Sequence, residues 1–314
     1  MKFWVGVTDN TWFDFLSRQN LSEVNFWQPS AMPLFKSADL TGMPFLFKLK
    51  RPYHHIAGGG FYVGYSTMPI DLAWDTFGVG NGAATYQDFL HVIDPKRKIR
   101  ANGGLIGCTI LSSPFFMPQE NWLISPPNFS SNIVRGKHYD TIDQDGATIW
   151  TFLSQYLSAQ KTPDVIEPSF EVVSEVRTPS QKYGTQTLTK PRLGQGSFRM
   201  MLTKAYQGRC AITGENTLEV LEAAHIVPYS QHGTHELNNG LLLRADFHKL
   251  FDKGLVSVTP DYKIQVSPRI RETYFNGKSY YRLDGQKLST LPTQIDQQPD
   301  RDKLDFHFRN IYQG

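Results

Sequence analysis

The stretches LEVLEAAHIVP (residues 218–228) and NGLLLRADFHKLFD (residues 239–252) decide the fold of the C-terminal part of this chain. The apolar run in the first stretch is short and ends at a proline, which predicts a β-strand. The second stretch joins a short apolar run to the composition of a short helix, which predicts a strand followed by a helix. Together they predict a strand–loop–strand–helix unit, whose strand and helix can hold side chains around one ion.

Three polar side chains of this unit, His225, Asn239 and His248, have the chemistry that phosphodiester hydrolysis needs. The reaction requires an activated water, a neutralised phosphate and a stabilised leaving oxygen. A neutral imidazole can act as the base near neutral pH, an amide can fix the tautomer of that ring, and a divalent cation can bind the phosphate. Two further histidines of the loop, His232 and His235, are interpreted as solvated, with phosphate contact as the alternative.

The unit resembles the HNH endonuclease family, whose core is the ββα-metal finger. Asn239 follows His225 by 14 residues and His248 follows Asn239 by 9, and both separations are ordinary for that family. The strings AAHIVP, NGLLL and DFHKLFD are similar to its bacterial restriction-type branch. The resemblance covers about residues 192–258. It implies that His225 is the general base, that Asn239 orients it and that His248 is a metal ligand.

The second metal ligand is left open by the resemblance. Many relatives carry an aspartate directly before the catalytic histidine, where this chain has Ala224. Glu222, Asp246 and water are the candidates to replace it. The implied cofactor is a divalent cation, Mg²⁺ first, with Mn²⁺, Ni²⁺ and Co²⁺ as alternatives. No structural zinc is expected, because the two cysteines, Cys108 and Cys210, do not form a CxxC pair.

Polar and basic side chains around the unit predict a track for the DNA backbone. The net charge of the whole chain is only +3, so contact with nucleic acid must come from a local patch. Contacts of this kind supply affinity but do not read sequence. The candidates are Arg192, Gln195, Arg199, Arg244 and Lys249.

The chain of 314 residues is long enough for two domains, and its composition divides it at a polar, proline-containing segment. We predict a first domain at 1–157, a linker at 158–190 and the nuclease domain with a polar C-terminal tail at 191–314. A helix at 197–206, capped by Ser197, opens the nuclease domain.

The glycines at 58–60 predict a tight turn or a close backbone approach. In the first domain the predicted strands are 3–7, 45–50, 60–65, 105–111 and 122–124, and the predicted helices are 12–16, 70–77, 85–92 and 147–157.

The first domain resembles the PUA-like superfamily, particularly the EVE-type modules that precede HNH domains in some modification-dependent, type IV-like restriction enzymes. The resemblance rests on the strand-rich order, on the segment VNFWQ at 24–28 and on the run 56–82. It implies a β-barrel that holds a modified cytosine, 5-methylcytosine or 5-hydroxymethylcytosine, outside the DNA helix. The candidate pocket residues combine aromatic faces with amide and hydroxyl groups: Asn25, Phe26, Trp27, Gln28, Ser30, Phe61, Trp74, Phe77 and Asn81.

The whole chain is thus expected to be an α+β, cytoplasmic bacterial endonuclease that cuts double-stranded DNA carrying modified cytosine. One site cuts one strand, so a homodimer or two successive nicks would be needed for double-strand cleavage. Two alternatives stay open: an HNH endonuclease or nickase acting on unmodified DNA, and a non-catalytic nucleic-acid-binding protein with a degenerate nuclease fold. The sequence predicts no membrane partner, because it has no signal-peptide pattern at its start and no apolar run of membrane-spanning length.

Overall fold

The computed structural model describes residues 1–34, 40–93, 104–159, 194–228, 234–275 and 277–314. The chain forms two compact units, Met1–Arg192 and Leu193–Gly314. Within the described ranges, no helix combines the length and the apolar character that crossing a membrane requires. The predicted linker lies outside these ranges except for its first two residues, which end a helix.

The first unit is built on one sheet with the strand order β2-β5-β4-β3-β1-β7 and with β6 paired to β4. Strands β1 and β3 are parallel and the other pairs are antiparallel. The path ends at β2 and β7, so the sheet of the described residues is open and the closed barrel expected from the resemblance is not found there. The strands are β1 (Lys2–Thr8), β2 (Glu23–Gln28), β3 (Pro44–Leu49), β4 (His55–Pro69), β5 (Leu105–Phe116), β6 (Leu123–Ile124) and β7 (Gly136–Asp140).

Helices α1 (Asn10–Leu16), α2 (Ile70–Phe77), α3 (Tyr86–Ile93) and α4 (Gln144–Ala159) accompany this sheet, and they confirm the four predicted helices. Side chains alternate along a strand, so neighbouring residues contribute to cores on opposite faces of the sheet. On β3, Phe45 and Phe47 belong to an aromatic core that also contains Trp12 of α1. Leu46, between them, belongs to a second core with Ile149 of α4.

The glycines at 58–60 lie inside β4, so the predicted tight turn is wrong. The close backbone approach is confirmed. A Cβ atom on Gly58 would lie 2.3 Å from the carbonyl oxygen of Phe115, and one on Gly59 would lie 2.7 Å from that of Phe45. The glycines therefore let three neighbouring strands pack where side chains would not fit.

The second unit contains the predicted strand–loop–strand–helix arrangement. Strand β8 (Leu221–His225) pairs antiparallel with β9 (Gly240–Arg244), and β9 runs directly into helix α6 (Ala245–Asp252). A second hairpin, β10 (Val256–Val258) with β11 (Ile264–Val266), follows α6. The remaining helices of this unit are α5 (Gln195–Ala205), α7 (Arg269–Tyr274), α8 (Lys278–Tyr281) and α9 (Arg301–Asn310).

The predicted N-cap at Ser197 is wrong. Helix α5 begins at Gln195, two residues earlier, and the capping position is held by Gly194 in an extended conformation. Ser197 is fully buried within the first turn, beside the buried ring of Phe198. Burial of this turn against the core, rather than a side-chain cap, therefore sets where the helix starts, and glycine is acceptable at that position.

The polar C-terminal segment is part of the core of the second unit rather than a tail. Asp300 caps helix α9 by accepting hydrogen bonds from the backbone amides of Asp302 and Lys303. The buried His307 stacks on Phe251 of α6, with ring centroids 3.7 Å apart. Its Nδ1 lies 2.8 Å from the hydroxyl of Ser257. One buried stripe is enough to hold a helix whose composition is otherwise polar.

We expect the second unit to lose stability in acid through His307. Burial lowers the pKa of His307 to about 4, whereas the unfolded value is about 6.5. Below about pH 6.5 the unfolded chain therefore binds a proton that the folded chain does not, and the free energy of unfolding falls by up to about 3 kcal/mol as the pH reaches 4. Scanning calorimetry between pH 7 and 4.5 measures this loss. His307→Gln cannot titrate and should make the dependence shallower, while His225, whose pKa burial also lowers to about 4, still contributes. An equally steep loss in the variant would contradict the role of His307.

Candidate active site

The β8–β9 hairpin sets the positions of the three predicted site residues. His225 is the last residue of β8 and pairs with Gly240, the first residue of β9. Asn239 ends the short 3₁₀ turn just before β9, and His248 lies in α6, just after it. The hairpin and the helix that follows it thus carry all three residues within one short stretch of chain.

The ring of His225 is held between aromatic neighbours. It stacks on the buried Phe198 of α5 with centroids 4.3 Å apart and planes at 11°. Its Nε2 lies 2.9 Å from Nδ1 of His235. Burial first, and then the nearby rings of His235 and His248, lower the pKa of His225 to about 4. The imidazole is therefore neutral at physiological pH, which is the form that can accept a proton.

Gly240 makes this stacking possible. A Cβ atom on Gly240 would lie 2.7 Å from the ring of Phe198 and 2.7 Å from Leu202. Real Cβ contacts of that length do not occur, so any side chain here would push Phe198 away from His225. Gly240 thus has a packing function on α5.

Asn239 is fully buried and bonds to the backbone on both sides of the loop. Its Oδ1 accepts from the amide of Val227 at 2.9 Å, and its Nδ2 donates to the carbonyls of Val227 and Thr234 at 3.1 and 2.8 Å. None of these bonds reaches the ring of His225. Asn239 therefore fixes the chain segments next to His225 and His235, and not the imidazole itself.

His248 lies between two carboxylates. Its Nδ1 is 2.6 Å from Oε2 of Glu222 on β8, and its Nε2 is 3.4 Å from Oδ2 of Asp252 on the next turn of α6. No cluster of three or more metal-binding side chains occurs among the described residues. The carboxylate oxygen of Glu222 fits a cation such as Mg²⁺, which keeps several waters and takes few protein ligands, and the imidazole nitrogen suits a transition-metal ion such as Ni²⁺. The side chains of Glu222 and Asp252 are 42% and 59% exposed, so water can reach both.

Asp246 is engaged elsewhere. Its two oxygens accept from Nε and Nη2 of Arg244 at 2.7 and 2.8 Å. This hydrogen bonding with Arg244 lowers the pKa of Asp246. Of the two carboxylates that the sequence offered as metal ligands, only Glu222 contacts His248. The pairing also occupies Arg244, which the sequence offered to the DNA backbone.

The other backbone candidates differ in exposure. Gln195 and Lys249 are exposed. Arg199 is partly buried and donates to the carbonyl of Leu221 at 3.3 Å. Arg192 lies outside the described residues, as does the loop residue His232.

The candidates for the base pocket are divided between the two faces of the first unit's sheet. On β2, Phe26 lies in the aromatic core beside Phe45, whereas the neighbouring Asn25 points the other way and donates to Oδ1 of Asn81 at 2.9 Å. Asn25 and Asn81 are both fully buried. Strand alternation therefore prevents the predicted set from lining one pocket.

The remaining candidates are less buried. Trp27 follows Asn25 on the same face of β2 and donates from Nε1 to the carbonyl of Asn81 at 2.9 Å. Trp74 and Trp27 both contact the buried ring of Phe89. Gln28, on the face of Phe26, accepts two hydrogen bonds from Arg135. Phe61, Phe77 and Ser30 are partly buried.

Two contact residues of the hairpin unit were not selected from the sequence. His235, interpreted as solvated, contacts His225, and Asp252 contacts His248. Asp252 follows His248 by four residues on a helix, which is the spacing of side chains on one face, so its contact was predictable. The contact of His235 depends on the path of the loop and has no local signal.

Comparisons with known proteins support the nuclease domain. Residues 210–259 match the model of a family described as HNH endonuclease, which confirms the predicted HNH domain. No curated protein matches the sequence. Among solved structures, the ZmASCH Y47F mutant from Zymomonas mobilis covers 48% of this chain and 97% of its own, with 9% identity and a TM-score of 0.31. The modification-dependent TagI restriction endonuclease covers 97% of this chain and 82% of its own, with 13% identity and a TM-score of 0.29. Both TM-scores are too low to assign a fold.

We expect Gly240→Ala to destabilise the second unit by about 1–3 kcal/mol, because overpacking displaces Phe198 and Leu202. Urea unfolding of the full chain measures the change. Gly80→Ala is the matched control, because a Cβ atom there makes only an ordinary contact of 3.5 Å with the carbonyl oxygen of Glu23. Equal stability of Gly240→Ala and the wild type would contradict the close packing on α5.

Proposed function

We propose that this protein is a modification-dependent DNA endonuclease whose hydrolytic site consists of His225, Asn239, His248 and Glu222. The hydrolytic part rests on one observation: two histidines of the same HNH domain have opposite chemical surroundings. A neutral His225 lies against aromatic rings, and His248 contacts the carboxylate of Glu222. The first arrangement suits a base and the second suits a cation.

In the proposed reaction, His225 accepts a proton from a water molecule whose oxygen attacks the phosphorus of the DNA backbone. The bond from phosphorus to the 3′ oxygen breaks, and the products carry a 5′-phosphate and a 3′-hydroxyl, which takes its proton from solvent. Phe198 and the loop held by Asn239 keep the base in place. One site cuts one strand, so double-strand cleavage takes a homodimer or two nicks.

His248 and Glu222 would hold the divalent cation, and Asp252 lies within reach of the same ring. When bound, the cation neutralises charge at the phosphate and stabilises the leaving oxygen. Glu222 is favoured over Asp246 because the carboxylate of Asp246 is paired with Arg244. Mg²⁺ is the proposed ion, since few protein ligands and several waters are its usual shell.

We expect His225→Ala to lower the rate of plasmid cleavage by about 100-fold or more, because the general base is lost. Glu222→Gln should weaken the binding of Mn²⁺ and slow cleavage, since it removes the carboxylate beside His248. The readouts are plasmid nicking with Mg²⁺, Mn²⁺, Ni²⁺ or Co²⁺ and titration calorimetry with Mn²⁺. Glu219→Gln is the matched control for Glu222→Gln, because Glu219 lies three residues before Glu222 and is exposed.

The alternatives predict other outcomes of the same assay. A wild-type protein that binds DNA but cuts it with none of the four ions would favour the non-catalytic binding protein. Cleavage that persists in His225→Ala would remove this residue as the base.

We propose further that the first unit selects DNA in which a modified cytosine, 5-methylcytosine or 5-hydroxymethylcytosine, is turned out of the helix. Support comes from Trp27 and Trp74, which are partly exposed and contact the same buried ring, Phe89. Aromatic faces of this kind can stack on an extruded base. Asn25 and Asn81 are fully buried and bonded to each other, so their role in this proposal is to hold Trp27 in place.

We expect Trp27→Ala to abolish the preference for modified over unmodified DNA while metal-dependent nicking persists, because the stacking surface is lost and the hydrolytic site is untouched. Cleavage of the same plasmid with and without cytosine modification measures the preference. Trp122→Ala is the matched control, since Trp122 also donates from Nε1 to a backbone carbonyl, that of Met117, at 2.8 Å.

An unchanged preference in Trp27→Ala would contradict this assignment of the pocket. Equal cleavage of both plasmids by the wild type would instead favour the alternative of an endonuclease or nickase for unmodified DNA.

A further inference from the structure

We propose, on the basis of the hydrolytic function proposed above, that His235 is a positioning residue that keeps the proton of neutral His225 on Nε2. His235 does not take part in the reaction itself. It leaves Nδ1 of His225 without a proton, and so makes this nitrogen the atom that accepts a proton from water.

The orientation of the His225 ring identifies the two nitrogens. Nε2 faces Nδ1 of His235 at 2.9 Å, a hydrogen-bond distance between two nitrogen atoms. Nδ1 of His225 makes no hydrogen bond with any part of the chain that the structure describes. Only Nδ1 is therefore placed to act on a water molecule, since Nε2 is engaged with His235.

Counting protons then distinguishes two arrangements. A neutral imidazole carries one N–H group and one bare nitrogen, and the contact between His225 and His235 needs one of each. If His235 donates, the proton of His225 sits on Nδ1 and this nitrogen cannot act as a base. If His225 donates from Nε2, its Nδ1 is bare. The bond made by one ring nitrogen thus sets the state of the other.

The loop segment that carries His235 is fixed from two sides. Asn239 donates from Nδ2 to the carbonyl of Thr234 at 2.8 Å, and its amide donates to the carbonyl of Glu236 at 2.9 Å. Lys303 of α9 pairs with the carboxylate of Glu236 at 3.0 Å. The residues on both sides of His235 are therefore held, one by the loop itself and the other also by the C-terminal helix.

Phe198 restricts both rings. Its centroid lies 4.3 Å from that of His225 and 5.6 Å from that of His235. Because Phe198 is fully buried in the core, it limits the space on one side of both imidazoles. The stacking and the hydrogen bond together restrict the orientation of the His225 ring, and the direction of the hydrogen bond then sets its tautomer.

Nitrogen NMR of the full-length protein with ¹⁵N-labelled histidine tests this role, because the shifts and couplings of the two ring nitrogens report which one carries the proton. The variants are His235→Asn, whose side-chain oxygen can replace Nδ1 as the acceptor, His235→Gln, whose amide reaches the position of Nε2 instead, and His235→Ala. We expect the Nε2–H tautomer of His225 in the wild type and in His235→Asn. A mixture of tautomers is expected in the other two variants.

The kinetic expectation follows from the tautomers. His235→Ala and His235→Gln should lower kcat for plasmid nicking by about 10–100-fold with an unchanged KM, as for other residues that orient a reacting group. His235→Asn should stay within a few-fold of the wild type. A merely structural role would lower Tm and would not separate Asn from Gln.

Three results would overturn the proposal: an Nδ1–H tautomer in the wild type, an unchanged tautomer in His235→Ala, or a raised KM with unchanged kcat, which would indicate phosphate contact. The NMR readout needs no substrate, so it separates this proposal from the proposed nuclease activity. Loss of the Nε2–H tautomer in His235→Ala supports the positioning role even if the wild type cuts no DNA, and that absence of cleavage would count against the proposed function alone.

Discussion

The register of the β8–β9 hairpin is the constraint on which the nuclease unit depends. It places His225 opposite Gly240, and only a glycine there leaves room for Phe198 to stack on the imidazole. It also starts helix α6 directly after β9, so that His248 meets Glu222 from the neighbouring strand. A slip by one residue would turn every side chain of β8 to the opposite face and separate both contacts at once.

The same alternation relates the proposed ligand Glu222 to the alanine before His225. Ala224 and Glu222 are two residues apart on a strand, so their side chains lie on one face. Glu222 can therefore approach helix α6 from the same face of β8 as position 224, but from two residues earlier in the chain. Its side chain is longer than that of aspartate and spans the added distance to His248, where the contact is 2.6 Å.

The elements of this fold follow from local sequence, but several of its contacts do not. Apolar runs and periodicity located β8, β9, α6 and the helices of the first unit within a few residues. The sequence does not decide whether Glu222 or Asp246 is the available carboxylate. The pairing of Asp246 with Arg244 depends on how the chain turns from β9 into α6. The C-terminal helix was also missed, since its polar composition conceals a buried stripe. The division of the pocket candidates between two faces depends on strand β2, which is not among the strands predicted from the sequence.

The two site histidines show how one small unit separates two kinds of chemistry. His225 is half-buried against Phe198, and this burial, together with His235 and His248, disfavours a positive charge on its ring. His248 instead touches carboxylates on both of its nitrogens, a setting that concentrates negative charge where a cation can bind. Titratable groups with opposing environments are the usual mark of divided roles in a catalytic site. Burial is the largest cause of the lowered pKa of His225, and His248 is the smallest of the three, so the surroundings of the two histidines are only weakly coupled.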